Sequence, residues 1–157
     1  MLSTRRNASG FTLFELVVAM AITAILVTIA IPSFSGLTAE ERAKSASSEL
    51  FESLLRTRSS AIKRDTNVSL TPDGGVWANG WEIVDPTNAA NALDTHGPTA
   101  GVTITGPSSV TYRDSGRLQA GTEPVFVVSA SGGGATYDLC ISIDLTGRPY
   151  AATGTTC

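Results

Sequence analysis

Residues Phe11 to Ile31 read FTLFELVVAMAITAILVTIAI and contain one ionisable side chain, Glu15. As an α-helix this apolar stretch is about 30 Å long, which matches the hydrocarbon core of a bilayer. Arg5 and Arg6 precede it, and basic residues that flank a span stay on the cytoplasmic side. We therefore expect a membrane-inserted helix, with the rest of the chain exported.

Two ordinary interpretations of a basic leader before an apolar stretch leave Glu15 unexplained. One is a secretory signal peptide, for which Ser33-Phe34-Ser35 offers a small-x-small cleavage site, and the other is a simple membrane anchor. A carboxylate within an apolar segment costs about 2.5–3.5 kcal/mol near the centre of a bilayer and less near its face. We expect Glu15 to have a functional partner that offsets this cost.

The chain divides into three parts by composition. Residues 1–10 are short, polar and basic, and we predict that they form a leader peptide. Residues 11–35 form the predicted transmembrane helix, in which Pro32 is expected to produce a kink because proline removes a backbone donor. Residues 36–157 form the predicted exported globular domain.

An amphipathic helix is predicted over residues 37–64. Apolar residues recur there at three- and four-residue steps, and charged residues occupy the other face. We interpret the charged face as solvated, and ion pairs between subunits are the alternative. Thr38-Ala39-Glu40-Glu41 has the spacing of a capping box, which is consistent with a helix that restarts after Gly36. The domain boundary lies near residues 32–37, and we expect the helix to cross it. The apolar stripe consists of Ala43, Ala46, Leu50, Leu54, Ala61 and Ile62.

The part of the chain from residue 66 to 157 has the pattern of β-strands. Asp85 to Thr99 is rich in Asn, Ala, Thr and Pro and is predicted to be a long exposed loop. One long helix followed by about six strands predicts an α+β fold, in which a mostly antiparallel β-sheet packs on the C-terminal half of the helix. The predicted strands are 67–70, 80–84, 101–105, 110–113, 125–129 and 137–143.

The sequence has two cysteines, Cys140 and Cys157, and the second is its final residue. In an exported domain such a pair is expected to form a disulfide. A cysteine at this position is well suited to fixing a tail that would otherwise fray. Two free buried thiols are the alternative, which suits a cytosolic protein better.

The string Gly10-Phe11-Thr12-Leu13-Phe14-Glu15-Leu16 resembles the class III signal of type IV prepilins. The resemblance implies that a membrane-bound prepilin peptidase cuts between Gly10 and Phe11 and then methylates the new amino terminus of Phe11. It also implies a role for Glu15 in assembly, where its carboxylate meets the exposed amine of Phe11 on a neighbouring subunit. Two charges that are costly alone in lipid are then paired.

Three later segments resemble FimT/FimU minor pilins and GspH pseudopilins, namely 76–85, 110–117 and the stretch from Cys140 to Tyr150. This resemblance implies a pilin-like fold and a low-abundance subunit at or near a filament tip. Such a subunit primes assembly and connects other minor pilins to the major pilin. It sits first in the bacterial inner membrane, with a periplasmic C-terminal domain, and then in the pilus at the cell surface. A pseudopilin of type II secretion is the alternative within this class.

The sequence predicts neither enzymatic activity nor a cofactor or metal. Its only histidine, His96, lies in the predicted exposed loop without a nucleophile motif, and the serines form no Gly-x-Ser-x-Gly elbow. No phosphate-binding lysine follows Gly132-Gly133-Gly134. The spacing of the two cysteines is not that of a metal cluster.

Charge argues against general nucleic-acid binding. The formal net charge is −3, and after Arg64 nine acidic residues stand against three basic ones. Some FimT-like pilins bind DNA through a C-terminal Gly-Arg-x-Arg, and this chain resembles them with Gly147-Arg148-Pro149-Tyr150. An arginine can hold a phosphate and a tyrosine can stack on a base, so Arg148 and Tyr150 are candidate DNA contacts at a weak site.

Overall fold

The structure is a computed structural model that describes residues 11–157, with the side chains of all of them except 29–33. The predicted leader lies outside the described residues, and so does Gly10. Among residues 11–157, one long helix, α1 (Leu13–Arg64), precedes two short 3₁₀ turns and eight β-strands. The strands are β1 (Val68–Pro72), β2 (Trp81–Val84), β3 (Ala92–His96), β4 (Thr103–Thr105), β5 (Val110–Tyr112), β6 (Val125–Gly132), β7 (Ala135–Ile143) and β8 (Pro149–Thr153).

The second half of α1 buries the predicted apolar stripe. Every member of the stripe is fully buried except Ile62, which is 51% exposed. Between Leu54 and Ala61 the polar residue Thr57 is also fully buried, and its hydroxyl is satisfied because it donates to the Ser53 carbonyl at 2.7 Å. The helix ends at Asp65, whose left-handed backbone (φ 51°) turns its N–H back to the last carbonyls.

The helix crosses the boundary at residues 32–37 as expected, and the restart after Gly36 is wrong. Helix α1 continues through this point, and the Thr38 hydroxyl donates to the Ser35 carbonyl at 3.0 Å instead of capping a new helix. The reason is tertiary packing, because Gly132 in the β6–β7 hairpin lies against the Ser35 carbonyl and leaves no room for a side chain. The predicted kink at Pro32 lies in the segment whose side chains are not described, and it stays a prediction.

The strands form two four-stranded sheets in which all neighbouring strands are antiparallel. The first sheet has the order β3-β2-β1-β5 and the second has the order β4-β6-β7-β8. Helix α1 packs on both sheets, and its contacts with β6 and β7 are the most extensive. The largest fully buried side chains between the helix and the sheets include Trp81, Tyr112, Phe126, Leu50 and Leu54.

The predicted α+β class, with a long helix on antiparallel strands, is confirmed. The predicted exposed loop over 85–99 is wrong in part, because β3 lies within it and pairs with β2. Strand β8 was not predicted. Both are edge strands with little buried surface, so their sequences lack the apolar alternation that marks a strand.

His96 is not in an exposed loop. It ends β3, and its imidazole stacks on Trp81 with ring centroids 4.0 Å apart and an interplanar angle of 4°. Its Nε2 atom lies 2.9 Å from Oε2 of Glu49 on α1. A second link between the same elements joins Arg56 to Asp94 at 2.8 Å. These contacts tie an otherwise little-buried edge strand to the helix.

Candidate functional site

The N-terminal end of α1 carries Glu15 in its first turn, and Phe11 directly precedes the N-cap residue Thr12. Thr12 is the N-cap, and its hydroxyl accepts from the Glu15 N–H at 3.2 Å. In return, Oε2 of Glu15 accepts from the Thr12 N–H at 2.9 Å and from its hydroxyl at 3.0 Å. This is a complete capping box, and it holds the carboxylate beside the residue that follows the predicted cleavage point.

The capping box leaves part of the Glu15 carboxylate available. Both hydrogen bonds go to Oε2, and among the described residues Oε1 has no partner. A carboxylate can accept hydrogen bonds at both oxygens, so this group can still meet an incoming ammonium group. Phe11, directly before the cap, is 90% exposed.

The first turns of α1 are apolar and exposed. From residue 11 to residue 28 every side chain is exposed, and most of these side chains are large and hydrophobic. An apolar surface of this extent on an isolated chain marks a segment that contacts lipid or other protein. Over the residues that the structure describes, no helix combines the length and the apolar character that crossing a membrane requires.

The structure contains the predicted disulfide between Cys140 and Cys157, with Cα atoms 5.5 Å apart. Cys140 lies on β7 and is fully buried, whereas the tail that carries Cys157 is exposed. The bond therefore fixes residues 154–157 against the second sheet, which is the role expected from the sequence.

Arg148 and Tyr150 lie together at the turn between β7 and β8. The Arg148 guanidinium is 5.5 Å from the centre of the Tyr150 ring, and the Tyr150 hydroxyl donates to Asp144 at 3.0 Å. Asp144 also accepts from the Thr146 hydroxyl at 2.6 Å and from the Arg148 N–H at 2.9 Å. These bonds, the one from Thr146 foremost, lower the pKa of Asp144 to about 2.

The carboxylate of Asp144 changes what this turn can bind. It remains ionised at neutral pH and lies directly beside the two candidate DNA contacts, so it repels a phosphate group. The hydrogen bond from the Tyr150 hydroxyl to Asp144 raises the pKa of that hydroxyl, so the hydroxyl stays protonated. The hydrogen bonds of Asp144 are made within the turn, and we do not assign the turn to DNA.

Two residues that the sequence analysis did not single out complete these sites, namely Thr12 and Asp144. Thr12 carried a recognisable signal, because Thr12-Leu13-Phe14-Glu15 has the same capping-box spacing as the string that begins at Thr38. Asp144 carried none, because its hydrogen bonds depend on the geometry of the turn.

Two family models match the chain. One is described as type II transport protein GspH and covers residues 46–147. The other is described as the prokaryotic N-terminal methylation motif and covers residues 5–31. No curated protein matches the chain.

Among solved structures, the type IV minor pilin FimU of Pseudomonas aeruginosa is similar in two crystal forms. In space group P65 it has 22% identity and a TM-score of 0.58, covering 73% of this chain and 98% of FimU. In space group P21 the values are 21% identity, a TM-score of 0.61, and coverage of 77% and 98%. At this level of identity the likeness establishes the fold alone.

Proposed function

The chain belongs to the GspH family of type II transport proteins, and on that premise we propose that it is a minor pilin of a type IV pilus. In this proposal prepilin peptidase cuts it between Gly10 and Phe11 and methylates Phe11. The subunit stays in the inner membrane, with its C-terminal domain in the periplasm, until it enters the filament at or near the tip. There it primes assembly and connects other minor pilins to the major pilin.

The chain is a structural protein and not an enzyme. Its function therefore depends on surfaces that join it to other subunits. The exposed apolar turns of α1 form one such surface, and a long helix of this kind can be buried only in lipid or among other apolar helices. Prepilin peptidase, the inner membrane and other pilins are the partners of this proposal.

The observation that carries the proposal is the capping box beside Phe11. It keeps the Glu15 carboxylate at the end of the helix, where a new amino terminus is created by cleavage. A carboxylate in this position is costly in lipid unless it is paired, and the amine of Phe11 on a neighbouring subunit is the partner that assembly supplies. The charge on Glu15 then favours transfer of the subunit from the membrane to the filament.

Substitution of Glu15 tests this account. We expect Glu15→Ala to leave membrane insertion intact or improved but to reduce the amount of the subunit in sheared pili severely. Glu41→Ala is the matched control, because Glu41 is an exposed helix carboxylate outside the apolar segment. If Glu15→Ala appears in sheared pili at the normal level, the pairing account is wrong.

Intact mass of the protein from its native membrane tests the processing step. A chain that begins at methylated Phe11, and only when the prepilin peptidase is present, is the expected result. A chain that begins at Gly36 would mean that an ordinary signal peptide has been removed. In that case the protein would be secreted without entering a filament.

A pseudopilin of a type II secretion system is the second candidate, and the description of the matching family favours it. The two candidates differ in where the filament lies. A pilus subunit is recovered in filaments sheared from the cell surface, and its deletion abolishes surface pili. Deletion of a pseudopilin instead blocks release of exported enzymes and leaves surface pili intact.

A further inference from the structure

The three basic residues that follow Arg64 in the sequence come together at one end of the globular domain. Arg113 and Arg117 close a turn after β5, where the Arg113 N–H donates to the Arg117 carbonyl at 2.8 Å. Arg148 follows the turn between β7 and β8. Gly147 and the Gly116 carbonyl touch so closely that a Cβ on Gly147 has no room, so the two turns are packed against each other. We call the surface formed by Arg113, Arg117 and Arg148 the arginine end.

Helix α1 fixes the arginine end in place. Nε of Arg58 donates to the Gly116 carbonyl at 3.0 Å, and its Nη2 donates to the Thr146 carbonyl at 3.2 Å. The side chain of Ile62, one turn further along, lies directly against Gly116. The two turns are thus held by the rigid helix, and their side chains need little ordering when a partner binds.

The guanidinium groups of the arginine end have no carboxylate partner among residues 11–157, although that of Arg148 lies over the Tyr150 ring. All three residues are exposed, and within the described part of the chain none of the three forms an ion pair. Lys44 and Arg56 on α1, in contrast, are both paired with acidic residues of the same chain. Unpaired cations gathered on an acidic domain form a local site for negative charge.

Apolar surface lies beside these cations. Ile62 is 51% exposed, Leu145 in the β7–β8 turn is 39% exposed, and Tyr150 is 46% exposed. Arginine and tyrosine next to exposed aliphatic groups are typical of the residues that dominate protein–protein binding energy. We propose that the arginine end is a docking surface for a protein that presents carboxylates around an apolar patch. The proposal rests on the proposed function only in taking that protein to be another filament subunit.

The carboxylates within this surface favour a protein partner over a nucleic acid. Asp114 lies between two of the arginines in sequence, and Asp144 lies beside Arg148. The evenly spaced phosphates of a nucleic acid would be repelled by both carboxylates. A folded protein can instead place its carboxylates next to the arginines and away from Asp114 and Asp144. The Tyr150 hydroxyl donates to Asp144, so a nucleotide stacked on the ring would bring its phosphate close to this carboxylate.

The test uses the full chain in a neutral detergent and three polymeric probes at low salt. The probes are a random copolymer of glutamate and tyrosine, polyglutamate, and a short DNA duplex. We expect the copolymer to bind most tightly, polyglutamate less tightly and DNA least. The double variant Arg113→Gln/Arg117→Gln should bind the copolymer about tenfold more weakly or worse.

Arg42→Gln/Lys44→Gln is the matched control, because it changes the net charge equally on a distant part of α1. It should change copolymer affinity by no more than about twofold. Leu145→Gln should reduce copolymer binding to the level of polyglutamate. Absence of copolymer binding, equal losses in the two double variants, or tighter binding to DNA would each overturn the proposal. None of these results depends on incorporation into a filament, so the proposed function is tested separately.

Discussion

Arg58 and Gly116 are joined by a hydrogen bond of 3.0 Å from the guanidinium Nε to the backbone carbonyl, although 58 positions separate them in the sequence. The same side chain also reaches the Thr146 carbonyl. One residue of α1 therefore holds a turn from each of the two sheets. This contact sets the geometry of the whole end of the domain that carries Arg113, Arg117 and Arg148.

Loss of the Arg58 side chain should destabilise the fold. In Arg58→Gln two carbonyl groups lose their donor, and we expect the free energy of unfolding to fall by about 1–3 kcal/mol. Denaturant unfolding of the full chain in detergent, followed by tryptophan fluorescence, measures this change. Arg56→Gln is the control, since its exposed ion pairs contribute less than about 1 kcal/mol. Equal effects of the two substitutions would contradict the role given to Arg58.

Gly147→Ala should be costly for two reasons. The backbone at Gly147 has φ 86°, which L-residues adopt at a cost of about 1–2 kcal/mol, and the Gly116 carbonyl occupies the place of the new Cβ. Gly134→Ala is the matched control, because Gly134 has φ 81° but no atom within 4 Å of its Cβ position. Thermal unfolding should show a clearly larger loss for Gly147→Ala. Similar losses would mean that the two turns are not packed closely.

Removal of the disulfide should destabilise the domain without changing its fold. The bond between Cys140 and Cys157 closes a loop with a sequence separation of 17, and the chain-entropy estimate for this loop is about 3 kcal/mol. We expect Cys157→Ser to lower the midpoint of thermal unfolding and reductant to have no further effect on this variant. Thr155→Ser in the same tail should behave as the wild type. No shift in Cys157→Ser would show that the bond contributes nothing to stability.

The domain should lose the stabilisation that Asp144 provides when the pH is lowered. Hydrogen bonds from Thr146, from the Arg148 N–H and from Tyr150 lower its pKa from 3.8 to about 2 in the folded state. A lowered pKa means that the folded state binds the proton less readily than the unfolded state does. The stabilisation from this carboxylate is therefore complete above pH 3.8 and is lost as the pH falls towards 2.

The measurement is the free energy of unfolding against pH for the wild type and for Asp144→Asn. The wild type should lose more stability than the variant between pH 3.8 and 2. Parallel curves in this range would show that the Asp144 bonds do not persist in solution.

Most of the secondary structure could be predicted from local pattern. The long helix follows from an apolar run joined to a stripe at helical spacing. Five of the strands follow from alternation, and β6 follows from a nearly continuous apolar run. Strands β3 and β8 could not be found in this way because each lies at a sheet edge and is largely exposed. The helix restart predicted at Thr38 failed for a different reason, since packing of the β6–β7 hairpin on Ser35 and Gly36 outweighs a local capping signal.

The sequence by itself determined the apolar N-terminal helix, the position of Glu15 within it and the two cysteines that pair, because each depends on residue type and local spacing. Three features emerge only from the packed fold: Arg58 spans two turns, Asp144 satisfies the Gly-Arg turn, and Arg113, Arg117 and Arg148 share one end of the domain. Arg58 lies 58 positions from Gly116 and 88 positions from Thr146, and the Asp144 bonds, although local, depend on the exact conformation of the turn. No local periodicity records which turns meet when two sheets pack on one helix.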